Sequence, residues 1–224
     1  LTALLRGTVA AGHGSRRILE QVAATTTPAE MRLTMVLGGA AQLLVELIAN
    51  SNEEELLQAA LEFGIALLES GDRRVQDALL AYLRQTMNYR FFAWFNSRLL
   101  DISQALRSWH RWREFQLMNA AASSADDHIG GTAGGDLQVG VALRTTMMRL
   151  HLQDMLRFLQ LVCEGHNTEM QLLMQSQPGF AVSQDLVSTV ADVLSDVVPN
   201  VEVLDMFEGA ELHTIIQVLE YLIE

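Results

Sequence analysis

RFLQLVCEGHNTEMQ, residues 157–171, contains the end of one helix and the beginning of another, and the fold follows from that junction. The apolar residues leading into it recur at three- and four-residue spacing, which predicts the buried face of an α-helix. They are Leu152, Leu156, Leu159 and Cys163. The first half of the stretch is therefore an amphipathic helix that packs on a core.

A polar stripe follows another face of the same helix and ends at Glu164; its members are Arg149, Gln153, Arg157, Gln160 and Glu164. We expect this stripe to face solvent or a partner. Gly165 can adopt the left-handed conformation that ends a helix, and Asn167 or Thr168 can cap the next one. Residues 164–166 are therefore predicted to form a kinked helix-helix junction.

Residues that typically begin, interrupt or cap helices also occur along the rest of the chain. Pro28 suits the first turn of a helix that runs toward Asn50, and Gly38-Gly39 inside that helix predicts a close approach of a neighbouring backbone. Ser51 and Glu54 have the spacing of a capping box. Asp72, after Gly71, is placed to cap a further helix. One long helix or two are predicted from Tyr89 to Ala121, and another helix begins at Ala210.

Composition supports helices almost everywhere. Half of the 224 residues are hydrophobic, only three are proline, and no alternating strand pattern occurs. We predict an all-α fold, an armadillo-like α-solenoid of antiparallel helix pairs, although no strict repeat period is present. An N-terminal helical part (1–122), a flexible Gly/Asp-rich loop (123–140) and a C-terminal helical part (141–224) are expected. The chain stops at Glu224 in mid-helix, as a piece of a longer protein would.

Charge and cysteine content exclude several classes of protein. Fifteen basic residues, all Arg, oppose 27 acidic ones, giving a net charge of −12. This balance argues against nucleic acid and is compatible with a cation or a basic protein surface. The single cysteine, Cys163, cannot form an internal disulfide, which indicates a cytosolic environment. The longest apolar run, 35–49, is too short to span a membrane, so no span is expected.

Patterns typical of catalysis or phosphate binding are missing. The glycines at 130–135 lack the preceding strand and the following Lys-Ser/Thr of a phosphate cradle. The histidines lack zinc-ligand spacing, and no nucleophile-base pair can be assigned to one pocket. We therefore expect a protein that is not an enzyme.

Two stretches resemble a known family. LEFGIALLESGDRRVQ (61–76) is similar to the "GIALL-x-GG-N…Q" segment of intracellular calcium-release channels, although Asp72 replaces the usual Asn. FLQLVCEGHNTEMQ (158–171) resembles the start of their RIH-associated domain, named for homology between ryanodine and inositol trisphosphate receptors. Leu219-Glu-Tyr221 resembles the later "L-T-E-Y" segment. The resemblance covers roughly residues 45–224.

The resemblance implies a cytosolic regulatory and coupling solenoid of a ligand-gated calcium-release channel. Such channels are homotetramers in the endoplasmic or sarcoplasmic reticulum membrane, and this region passes ligand-induced movement to the pore. Its partners would be other domains of the parent channel.

The resemblance also implies a calcium site. Carried over by motif, the ligands would be Glu164 and Glu220, with His166 behind them and a C-terminal segment outside this chain completing the site. Calcium prefers six to eight oxygen ligands, so two carboxylates leave its shell incomplete and binding by this fragment weak. The alternative interpretation is an armadillo-like scaffold for protein interactions with no ion-binding role.

Overall fold

The computed structural model describes residues 27–69, 71–123 and 151–197, and every regular element in those ranges is a helix. The all-α prediction is confirmed. The eight helices are α1 Pro28–Leu37, α2 Ala40–Asn50, α3 Glu54–Leu68, α4 Arg73–Thr86, α5 Tyr89–Ser123, α6 Leu152–Cys163, α7 Thr168–Gln175 and α8 Leu186–Val197.

The first two helices are separated where one was predicted. Thr27 and Glu30 form a capping box at the start of α1, and Pro28 occupies its first turn as expected. The helix then ends before Gly38-Gly39, because Gly39 adopts a φ of 98° that helical residues do not take. Consequently α1 and α2 are bent by 68°.

Among the described residues, no single helix is both long enough and apolar enough to cross a membrane. Taken together, the bent pair α1 and α2 has sufficient length and apolar composition. Most of the apolar face of α2 is buried in the core instead, including Leu44, Val45 and Ile48.

Two of the predicted helix starts have different outcomes. Asp72 caps α4 by accepting a hydrogen bond from the Arg74 amide at 3.0 Å, as expected. The capping box at Ser51 is wrong, because that box requires a helix beginning at residue 52 and α3 begins two residues later, at Glu54. Ser51 Oγ accepts a hydrogen bond from the Glu53 amide. The Glu54 carboxylate accepts from the Arg98 side chain instead of from the Ser51 backbone amide.

A ring cluster joins α5 to α6 at the centre of the core. Phe158 of α6 stacks on Phe95 of α5, with centroids 5.7 Å apart and planes inclined by 7°. Phe91 meets both rings edge-on. All three side chains are fully buried, so helices on opposite sides of residues 124–150 share one hydrophobic core.

Helix α8, the last one within the described residues, packs along α5 in a parallel direction. Thr189 hydroxyl donates to the Asn96 side chain, and seven residues further along both helices Ser103 donates to Asp196. Equal steps in the same chain direction require parallel helices. The armadillo-like repeat stays a prediction, as do the domain boundaries, and the loop at 123–140 lies outside the described residues except for Ser123.

Candidate functional site

The α6–α7 turn has the local geometry that its sequence predicts. Glu164 follows the last residue of α6, and Gly165 and His166 then take left-handed φ values of 74° and 55°. Asn167 caps α7, because its side chain accepts a hydrogen bond from the Met170 amide at 3.3 Å. Two consecutive left-handed residues therefore redirect the chain within a single turn.

A buried glutamine from α4 holds this turn in place. Gln76 is 1% exposed, and its Nε2 donates to the carbonyl oxygens of Leu161 at 2.9 Å and Glu164 at 3.0 Å. Its Oε1 accepts from Asn167 Nδ2 at 3.1 Å. The amide thus satisfies two carbonyls that the end of α6 leaves without helical partners, and it fixes the capping residue of α7.

The carboxylate of Glu164 packs against Gly71, in the turn between α3 and α4. A Cβ atom on Gly71 would lie 3.3 Å from Glu164 Oε2, so the absence of a side chain there makes room for the carboxylate. Oε2 is inaccessible to solvent and has no hydrogen-bond partner within the described residues. The expectation of a stripe that faces solvent or a partner is wrong at Gln160, which is buried within the fold, whereas Glu164 is partly exposed and the expectation stays a prediction there.

A buried carboxylate oxygen without a partner is costly, and it is the kind of hard donor that calcium prefers. The residue therefore fits the donor chemistry of a calcium ligand. Across 27–69, 71–123 and 151–197, no group of three or more His, Cys, Asp or Glu residues is arranged to hold a metal. Glu164 would supply one ligand of a site completed from elsewhere.

Neither of the other two predicted site residues, His166 and Glu220, is seen in contact with Glu164 in the described part of the chain. His166 is exposed, and no hydrogen bond or ion pair in the described part of the chain joins it to Glu164. Glu220 lies outside the described residues, so its pairing with Glu164 stays a prediction.

The two stretches that carried the resemblance contact each other along their length. Besides the contacts of Gly71 and Gln76, Gly64 of α3 lies against Phe158 of α6, where a Cβ atom would come within 2.7 Å of the ring. The close approach of α3 and α6 thus depends on Gly64 having no side chain.

At its other end α6 is held by charged residues. Arg98 donates to Glu54 at 2.6 Å, and His151 Nε2 lies 3.3 Å from the same carboxylate. Burial opposes ionisation of Glu54, but Arg98 and His151 hold its pKa below the ordinary value. Burial, together with the nearby charge of Glu62, raises the pKa of Asp154. These contacts position the start of α6 rather than the Glu164 turn.

Sequence reasoning assigned no site role to Gln76 or Gly71. A signal for Gln76 was present, because it shares the three- and four-residue spacing of Leu79, Leu80 and Leu83 on the apolar face of α4. A glutamine on such a face must find buried partners. Which partners it finds depends on tertiary packing.

Residues 147–224 match the family model described as "RyR and IP3R Homology associated". The match includes α6, the Glu164 turn, α7 and α8. It confirms for this part of the chain the family that the sequence resembles.

Proposed function

Because residues 147–224 belong to the RyR and IP3R Homology associated family, we propose that the chain is a coupling segment of an intracellular ligand-gated calcium-release channel. It would transmit ligand and calcium binding to the pore as a non-catalytic part of a homotetramer. Its location would be the cytosolic face of the endoplasmic or sarcoplasmic reticulum membrane. The observation that carries this proposal is the family match of residues 147–224, and the attachment of the Glu164 turn to α4 through Gln76 supports the coupling role.

This attachment supports a coupling role on physical grounds. Three hydrogen bonds from one buried side chain leave α4 and the α6–α7 turn little freedom to move separately. A force applied at Glu164 therefore acts on α4 as well. Binding that differs between two arrangements of such a unit shifts their populations.

We further propose that calcium is the ion sensed at this turn. Glu164 would contribute its buried carboxylate oxygen, and Glu220 and the parent channel's C-terminal segment would contribute others, with His166 close behind. The ion would supply the positive charge that the Glu164 carboxylate lacks within the described residues. A shell shared between segments would close only when those segments approach one another.

The test is the calcium dependence of opening in the full parent channel, reconstituted in a bilayer. Glu164→Gln removes the charge at nearly constant volume. It should move half-activation to higher calcium by about tenfold, equivalent to about 1.4 kcal/mol of binding free energy. Glu220→Gln should act in the same direction.

Glu169→Gln is the matched control, because Glu169 lies on the next turn and pairs with the exposed Arg84. It should leave calcium activation unchanged. An unchanged response in Glu164→Gln would remove the ion site but not the coupling role. A parent chain without membrane-spanning segments would remove the channel assignment and leave the interaction scaffold.

A further inference from the structure

The C-terminal part of α5 carries an exposed apolar and basic face. Phe115 is 58% exposed and Met118 is 67% exposed. Together with Arg111 they follow four- and three-residue spacing, so the three side chains lie along one side of the helix. We name Arg111, Phe115 and Met118 the α5 distal face. Large apolar side chains grouped in this way are typical of a contact surface.

The basic member of this face has no acidic partner in the described part of the chain. Within the described ranges, Arg111 donates to the Arg107 carbonyl and the Ser108 hydroxyl, both at 3.4 Å. Arg107, one turn earlier, is already paired with Asp196. As far as residues 27–69, 71–123 and 151–197 are concerned, the distal face therefore offers a cation without an acidic partner beside two apolar side chains.

Helix α8 ends at the edge of this face and points along it. Asp196 is bound by Ser103 and Arg107, and its carbonyl oxygen lies 2.6 Å from His110 Nε2. Since α8 is parallel to α5, the axis of α8 at Val197 points in the direction in which α5 continues. From His110 to Ser123 that continuation is about 20 Å long at 1.5 Å per residue.

The next twelve residues, 198–209, have the complementary composition. They include Val201, Leu204 and Phe207 at three-residue spacing, and Glu202, Asp205 and Glu208 offset by one position. The stretch contains no basic residue. Twelve residues reach up to about 40 Å when extended, which is enough to follow α5 and return.

We propose that residues 198–209 dock on the α5 distal face, with their apolar side chains on Phe115 and Met118 and their carboxylates facing Arg111. The contact is intramolecular and does not depend on calcium or on a channel function. It extends the pairing of α8 and α5 beyond the described contacts at Asp196. It also sets the direction from which residues 210–224 begin.

Hydrogen-deuterium exchange on the whole chain tests this contact, with amide protection of 198–209 as the readout. In the unmodified protein these amides should exchange more slowly than in a free peptide of the same sequence. Phe115→Asp and Met118→Asp should each reduce that protection by about tenfold or more, because they place a charge where apolar contact is required. Arg111→Glu should also reduce it, through repulsion from the carboxylates.

Leu172→Asp is the matched control, since Leu172 on α7 is also 58% exposed. It should leave protection of 198–209 unchanged. Protection of 189–197 should stay constant in all variants, which would show that α8 remains packed.

Two results would overturn the proposal. One is absence of protection at 198–209, or protection that none of the three variants reduces. The other is protection that appears only at high protein concentration together with dimers in sedimentation, which would make a second copy the occupant.

Discussion

At the scale of single residues, the Glu164 turn depends on two positions that lie 88 and 93 residues earlier in the chain. Gln76 binds the carbonyls that end α6, and Gly71 leaves space for the Glu164 side chain. The direction of the carboxylate is therefore set by the α3–α4 turn as well as by its own backbone. Substitutions at Gln76 or Gly71 should therefore change the position of the Glu164 carboxylate although Glu164 itself is not mutated.

Gln76→Ala tests the role of the buried amide. It leaves two carbonyls and the Asn167 amide group without partners in a site that excludes water. Burying unsatisfied polar groups should lower the free energy of unfolding by about 3 kcal/mol. Urea unfolding followed by circular dichroism measures this loss, and hydrogen exchange should accelerate first at residues 164–168.

Gln177→Ala provides a comparison of equal chemistry elsewhere. Gln177 is 2% exposed and binds the Leu173 and Gln184 carbonyls between α7 and α8. Its removal should destabilise the protein too, but with faster exchange around 177–184. If the amides of residues 164–168 exchanged equally fast in both variants, Gln76 would not stabilise the Glu164 turn specifically.

The local conformation of this turn could be predicted from the sequence, whereas its contacts with residues distant in the chain could not. Gly165 and Asn167 act through their own backbone and their neighbours, so their roles follow from residue type and spacing. The bond between Gln76 and Asn167 joins residues 91 positions apart. Gln160 was assigned to a stripe facing solvent or a partner, because residue spacing defines a face of a helix but not what covers that face.

At the scale of helices, the starts were predictable where one side chain decides them. Asp72 caps α4 through its own carboxylate, and Pro28 begins α1. The box at Ser51 failed because Arg98 from α5 competes for Glu54. The break at Gly38-Gly39 was missed because two glycines weaken a helix without specifying whether it bends.

Asp72→Ala and Asp72→Asn separate the two contributions of the α4 cap. Alanine removes the acceptor for the Arg74 amide and should cost about 1 kcal/mol of unfolding free energy at pH 7. Asparagine keeps an acceptor and should cost less, losing only the charge interaction with Arg74. Thermal or urea unfolding measures both, and equal losses would mean that capping geometry contributes nothing.

The charge contribution should also depend on pH. The hydrogen bond from the Arg74 side chain lowers the pKa of Asp72. A lowered folded pKa stabilises the protein above the unfolded value of about 4, and this stabilisation disappears as the pH falls through the folded value. The difference between the unmodified protein and Asp72→Asn should therefore be present at pH 7 and vanish in acid.

At the scale of the whole molecule, the core joins helices that precede and follow residues 124–150. Composition predicted the helical class, because Leu, Ala and Met dominate and proline is scarce. It could not predict which helices meet, since apolar stripes on α3, α5, α6 and α8 are chemically alike. The pairings depend on particular fits, such as Phe158 against Gly64 and Asp196 against Ser103.

Cleavage between residues 123 and 140 tests whether this shared core holds the two parts together. With a protease site placed there, the pieces should remain associated, because Phe158 is buried against Phe91 and Phe95 and Asp196 is bound by Ser103 and Arg107. Gel filtration in native buffer should show co-elution, and the same sample in urea should show two separate pieces. The unfolding midpoint should become concentration-dependent after cleavage, since unfolding then includes dissociation. Separation in native buffer would mean that the contacts across residues 124–150 are too weak to form one cooperative core.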